Sequence, residues 1–252
     1  MKRVKSKVLA NLRCADDAFI LRLDVQNSAH SAMPGQFLML HIPNGRTFLR
    51  RPFSIADSEG GEITLLIREV GEGTRSLRAL KENTPLDIIF PLGRGFSIPH
   101  ADKVLLVAGG IGVSPLIFLI KFLRARGIST TLVFGADTAR HLYLSDHLER
   151  LCNRTVFVTE DASSTGRGTA VDAAAKLLEQ GERFDFLYTC GPTPMLRAVS
   201  ELAKKFHLEG EASLESRMLC GIGVCLACSF KIENGRRLKI CSEGPVLPLS
   251  AL

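Results

Sequence analysis

No stretch of this 252-residue sequence holds the ~18 consecutive apolar residues that a membrane-spanning helix needs. The charged start, MKRVKSKVLANLR, has no apolar core behind it, which argues against a secretory signal and sets a cytoplasmic location as the expectation. The formal net charge is +6, yet no dense Lys/Arg block exists. The excess is spread along the chain, which disfavours a nucleic-acid surface. There is no internal repeat and no low-complexity tract. The six histidines are scattered and form no metal-hydrolase motif, so no site for chemistry on an organic acid is evident. What remains is ordinary for a globular protein, with 46% hydrophobic and 23% charged residues.

The first ~98 residues carry short apolar or alternating runs, among them FILRLDV, QFLMLHI, EITLLIREV and PLDIIF, punctuated by Gly, Pro, Asn and Asp. This spacing predicts an N-terminal antiparallel β-barrel or sandwich. Pro99 marks a linker. From Lys103 strand-like runs (KVLLVAGG, STTLVFGA, TVFVTED, FDFLYTCGP) alternate with helical ones (SPLIFLIKFLRARG, LSDHLERLC, VDAAAKLLEQ, PTPMLRAVSELAKKFH), which predicts βαβ units on a doubly wound parallel sheet. The expected division is 1–98 for the barrel, 99–208 for the α/β domain and 209–252 for a small cysteine-rich domain.

Cysteines are unevenly placed. Cys14, Cys152 and Cys190 are isolated, while Cys220, Cys225, Cys228 and Cys241 crowd the C-terminal end. Without an export signal, clustered thiols point to metal rather than to disulfides. The C-x4-C-x2-C…C pattern is the plant-type ferredoxin spacing for a 2Fe–2S cluster. Gly221 and Gly223 let the backbone approach inorganic sulfides, and Asn234-Gly235 predicts a hairpin that returns Cys241 to the loop. Zinc is the main rival, although structural zinc sites usually pair two C-x2-C knuckles and only one is present.

Arg51-Pro52-Phe53-Ser54 has residue types that can grip a flavin's pyrophosphate and pack on its ring system. Gly71-Glu72-Gly73-Thr74 opens a short helix whose turn offers backbone N–H groups to phosphate. Each reads equally as a surface turn when taken alone. Gly109-Gly110-Ile111-Gly112-Val113-Ser114-Pro115 joins a strand to a helix, a geometry that brings N–H groups to an anionic ligand. It is not G-x-G-x-x-G, so a Rossmann dehydrogenase fingerprint is not supported. Cys190-Gly191-Pro192-Thr193-Pro194-Met195 ends another strand at the same sheet edge, where ligands of doubly wound sheets bind; Cys190 also reads as a small buried apolar residue.

The order RPFS, GEGT, GGIGVSP, CGPTPM resembles the ferredoxin–NADP reductase superfamily over the first ~205 residues. That resemblance implies FAD on the barrel and a nicotinamide nucleotide on the α/β domain. Arg51, Pro52, Phe53, Ser54, Leu66, Ile67 and Arg68 would then touch FAD, and Gly73 and Thr74 would hold its phosphates. Gly109, Gly110 and Gly112 would face the nucleotide, with Cys190 near hydride transfer. The tail, LESRMLCGIGVCLAC followed by KICSEGPVLP, resembles the electron-transfer subunits of type B, NAD-dependent dihydroorotate dehydrogenases. This implies FAD and 2Fe–2S in one chain, an FMN-bearing catalytic partner in a hetero-oligomer (a dimer of heterodimers), and electrons passing from dihydroorotate to NAD+ in pyrimidine biosynthesis. Ala136-Asp137 after Phe134-Gly135 offers no basic pair for a 2′-phosphate, favouring NAD over NADP. The alternatives are the NAD(P)-reactive subunit of a cytoplasmic hydrogenase or sulfur reductase, and a zinc-stabilised binding protein with a decayed nucleotide fold.

Overall fold

The computed structural model describes residues 1–25, 32–43 and 48–252. Its first sheet has seven strands: β1 (Lys2–Arg13), β2 (Ala18–Asp24), β3 (Phe37–His41), β4 (Arg51–Ser54), β5 (Asp57–Glu59), β6 (Glu62–Arg68) and, after helix α1 (Glu72–Arg78), β7 (Pro85–Leu92). The order is β4-β3-β7-β1-β2-β6-β5, and every pairing is antiparallel. Period-two burial drives the curl. Phe19, Leu21 and Leu23, Ile63, Leu65 and Ile67, and Leu86, Ile88 and Phe90 all turn into one core, each large side chain contributing about 1.5–3 kcal/mol. Among the described residues, β4 and β5 are not paired with each other. The barrel expectation therefore resolves into a curled half-barrel.

The second sheet begins with β8 (Lys103–Gly109), followed by α2 (Val113–Arg124), β9 (Ser129–Ala136), α3 (Ser145–Leu151), β10 (Arg154–Thr159), α4 (Ala170–Glu179), β11 (Phe186–Cys190) and α5 (Thr193–Lys205). Its parallel core, β10-β9-β8-β11, is covered on both faces. Val104, Leu106 and Ala108 pack with α2, whereas Leu105 and Val107 pack with α4 and α5. Such two-sided burial explains the continuous apolar run KVLLVAG.

The sheet does not stop at residue 208. β12 (Gly210–Ser213) adds in parallel to β11, and the last strand of the chain, Val246–Pro248, returns antiparallel to β12. The sheet is consequently mixed, and segment 209–252 starts and finishes inside the nucleotide-type domain. Between those strands lie the hairpin β13 (Ser229–Lys231) and β14 (Arg237–Lys239) and helix α6 (Ile240–Glu243), with β15 closing at Val246–Pro248. Gly235 sits at φ +83 in the hairpin turn, a conformation glycine adopts without Cβ strain.

The two sheets are locked together through α2 and one carboxylate. Phe118 of α2 is buried in the half-barrel core, and Lys121 Nζ meets Asp57 Oδ2 at 2.5 Å. Asp17, in the β1–β2 turn, accepts from Arg68 Nε at 2.7 Å and from Tyr143 Oη at 3.1 Å.

Candidate functional site

Among the described residues, two cavities that adjoin each other open along this junction. One, of about 360 Å³, lies against β4 and the end of β6. Phe53, Leu66 and Ile67 give it apolar walls, while Ser54, Arg68 and Thr74 supply polar atoms. The other, of about 770 Å³, lies over the C-terminal edge of the second sheet. Gly109, Gly110 and Gly112 line it, facing Gly191 and Met195. Arg68, Ile111 and Glu215 line both, so the cavities meet at these side chains.

Glycine at two of these positions is dictated by approach. A Cβ on Gly112 would stand 2.5 Å from the Cys190 carbonyl oxygen, and one on Gly109 would stand 2.6 Å from Met195 Sδ. The start of α2 thus packs directly on the end of β11, leaving the nucleotide-side cavity its width.

Three predicted residues fall elsewhere. Arg51 is exposed on β4 and lines neither cavity; its neighbour Arg50 is held by Asp87, through Nη1 to the carbonyl at 2.6 Å and Nη2 to Oδ1 at 2.9 Å. Arg68 is the one arginine lining these cavities among the described residues. Gly73, inside the first turn of α1, also lines neither. Thr74 does, with Oγ1 accepting from Val70 N and Gly71 N at 2.9 and 3.1 Å. Cys190 is 2% exposed and sits behind Gly191, inside the α2-facing core. Burial, with Glu215 adding a like-charge effect, pushes its thiol far up. It is a neutral, packed side chain here.

Sequence reasoning missed the segment Leu214–Met218. Leaving β12, it lines the smaller cavity through Leu214, Glu215, Ser216 and Met218. Glu215 opens onto both cavities, yet the protein packed around it raises its carboxyl pKa. The available signal was LESRM immediately before Cys220. Ser114, within the strand–helix glycine motif, lines the smaller cavity at the second position of α2.

Two residues beyond Met218 the cysteine loop begins. Its thiols gather as two pairs. Cys220 Sγ accepts from Cys225 N at 3.5 Å and Ile222 N at 3.4 Å. Cys228 Sγ and Cys241 Sγ lie 3.2 Å apart, and Cys241 Sγ accepts from Gly223 N at 3.1 Å. Burial raises the Cys220 pKa, but the N–H donations from Cys225 and Ile222 outweigh it and bring the thiol down to about 6. Burial and the neighbouring Cys228 push Cys241 up. Gly221 and Gly223, at φ +72 and +83, turn the loop so that its N–H groups face sulfur. Among the described residues no three ligand-type side chains converge as for a single ion. Two thiol pairs with N–H groups aimed at sulfur suit a cluster in which each iron takes two cysteines.

Comparisons with known proteins match three segments of the chain. "Oxidoreductase FAD-binding domain" matches residues 5–96 and "Oxidoreductase NAD-binding domain" matches 106–201. "Iron-sulfur cluster binding domain of dihydroorotate dehydrogenase B" matches 215–252. The chain is 37% identical to the "Dihydroorotate dehydrogenase B (NAD(+)), electron transfer subunit" of Caldanaerobacter subterraneus subsp. tengcongensis, covering 97% of this chain and 96% of that protein. The protein of the same name from Shouchella clausii is 37% identical over 98% and 97%. Among solved structures, the NADH-dependent reduced ferredoxin-NADP oxidoreductase, described in work on flavin-based electron bifurcation, superposes with a TM-score of 0.87 at 27% identity, covering 98% of this chain and 88% of that one. A ferredoxin NADP+ reductase from Neisseria gonorrhoeae shares the fold at 16% identity and a TM-score of 0.67, covering 82% and 92%. With FAD-, NAD- and iron–sulfur-binding domains in this order, the chain belongs to the electron transfer subunit family of dihydroorotate dehydrogenase B.

Proposed function

We propose that this chain conveys electrons between an FMN-bearing dihydroorotate dehydrogenase catalytic subunit and NAD+, serving pyrimidine biosynthesis. One observation carries the reading: a cavity suited to a flavin ring shares Arg68, Ile111 and Glu215 with the nucleotide-side cavity and is also lined by Leu214, Ser216 and Met218, in the segment that runs into Cys220. FAD held there would supply hydride exchange with nicotinamide and single-electron exchange with a 2Fe–2S cluster. The protein's part is to hold these groups in order and keep water out. Phe53, Leu66 and Ile67 supply apolar cover, Ser54 and Arg68 polar contacts, and Cys220, Cys225, Cys228 and Cys241 the ligands.

The cysteine loop also supplies the docking face. Leu219, Ile222, Val224 and Leu226 are exposed by 47, 42, 74 and 61% beside the exposed Cys225. Four large apolar side chains in eight residues of open loop form a patch suited to a partner surface. The catalytic subunit is the occupant this reading assigns. Anaerobic co-expression with the neighbouring reading frame tests it: an FMN protein should co-purify, and the pair should reduce NAD+ with dihydroorotate. A pair that leaves NAD+ unreduced, or a hydrogenase-type partner, would overturn the assignment.

Choice of nucleotide follows from charge. Because the cavity end at Arg68, Ile111 and Glu215 abuts the flavin side, nicotinamide belongs there and adenosine at the opposite end. The cavity is also lined by Asp137, Glu160 and Asp172, of which Asp137 is tied through His141 to the Arg68 end. Asp137 Oδ1 is engaged by His141 Nδ1 at 2.5 Å, and Asp172 Oδ2 accepts from Thr169 Oγ1 at 2.7 Å. The Glu160 carboxylate has no partner among the described residues. It is free to accept from a ribose hydroxyl and repels a 2′-phosphate. NADH should outperform NADPH in kcat/KM for flavin reduction by at least about tenfold, and Glu160→Gln should narrow that ratio about three- to tenfold. An unchanged ratio in the variant would remove Glu160 from the selection.

A further inference from the structure

Ser114 is 3% exposed, and its Oγ is the one buried side-chain polar atom without a hydrogen-bond partner among the described residues. Buried hydroxyls are nearly always paired, so an orphan at a cavity wall marks a partner supplied from outside the chain. The hydroxyl sits at the second position of α2, a helix of 12 residues. Its surroundings define which partner. Ser114 lines the smaller cavity and not the nucleotide-side one, together with Phe53, Leu66 and Ile111. Ile111 marks the end at which the two cavities meet, whereas Val70 and Thr74 mark the end at α1.

We propose that Ser114 Oγ donates a hydrogen bond to a ring heteroatom of the bound flavin's isoalloxazine, making it a further cofactor-contact residue. The inference rests on the FAD reading above. Three observations place the ring, rather than the phosphates, beside Ser114. The aromatic Phe53 and the aliphatic Leu66 flatten that part of the wall, the nicotinamide must approach from the Ile111 side, and the Thr74 turn lies at the other end. α2 is fixed for the role, since Gly112 packs on the Cys190 carbonyl and Phe118 is anchored in the half-barrel core. Ser114 therefore has little freedom to find a partner within the chain.

The proposal has a signature of opposite signs. In the full-length chain stripped of FAD, Ser114→Ala removes an unsatisfied buried hydroxyl and should raise Tm. With FAD, the same substitution removes a made hydrogen bond, so the FAD Kd should rise about five- to tenfold. The visible flavin band should shift as the ring loses its donor, and the two-electron potential should move by up to about 30 mV, the equivalent of a tenfold change in the ratio of the FAD affinities of the two redox states. Ser114→Cys, which keeps a weak donor, should lie between wild type and Ala. A Ser114→Ala chain with wild-type FAD affinity, spectrum and potential overturns the proposal while leaving FAD binding intact. So does a Tm that moves the same way with and without FAD, which is what a packing role alone would give. Wild-type chain that takes up no FAD would sink both this inference and the reading beneath it.

Discussion

Cys225→Ser, prepared without oxygen, should eliminate the iron–sulfur absorption and cut electron transfer between the catalytic partner and NAD+ by about 100-fold or more. NADH oxidation by an artificial acceptor at the flavin should stay within about twofold of wild type, because nucleotide and flavin contacts are left in place. The separation follows from position. Cys225 is exposed, its N–H supports Cys220 Sγ, and it lines neither cavity. A serine hydroxyl does not ionise as a thiol does, so the iron loses a soft anionic ligand. Some loss of stability in the loop is expected because ligation contributes folding free energy. Thermal unfolding and FAD content, measured alongside, separate that effect from the redox one. Equal loss of both activities in a folded, FAD-loaded variant would contradict the order of carriers.

The second large effect belongs to Gly112. In Gly112→Ala the new methyl would meet the backbone carbonyl of Cys190 at 2.5 Å, and both sides of that contact are main chain. Neither α2 nor β11 can yield without disturbing the cores on the two sheet faces. We expect a loss of about 2–3 kcal/mol and a Tm lower by about 5–10 °C. Nucleotide binding should weaken at least tenfold, since separating α2 from β11 distorts the wall shared by Gly109, Gly110 and Gly191. Differential scanning calorimetry and titration with NADH measure the two effects independently. A wild-type Tm in the variant would show that the α2–β11 contact is looser than described.

Much of this architecture was legible in the sequence where the signal is local. Two-residue alternation marked most half-barrel strands, and the glycine-rich strand–helix joints marked the nucleotide edge. Cysteine spacing was the strongest signal, because a cluster loop must bring its ligands together within a few residues. Other elements were hidden for physical reasons. β4 carries Pro52, which suits an edge strand but masks the run. β12 and β15 are GEAS and VLP, too short to show a period, and they form only by pairing with a sheet built from distant residues. Their placement draws Leu214–Met218 across the smaller cavity, so the roles of Glu215 and Met218 depend on tertiary juxtaposition. Arg51 and Cys190 show the converse. Motif resemblance drew attention to them, but Arg51 turns to solvent and Cys190 is sealed behind Gly191.

Iron, acid-labile sulfide and flavin, quantified together in the full-length chain purified without oxygen, test the central claim most directly. Four thiols arranged as two pairs beside one flavin cavity predict about two irons, two sulfides and one FAD per chain. Protein that holds FAD but contains zinc or no metal at those thiols would contradict the account.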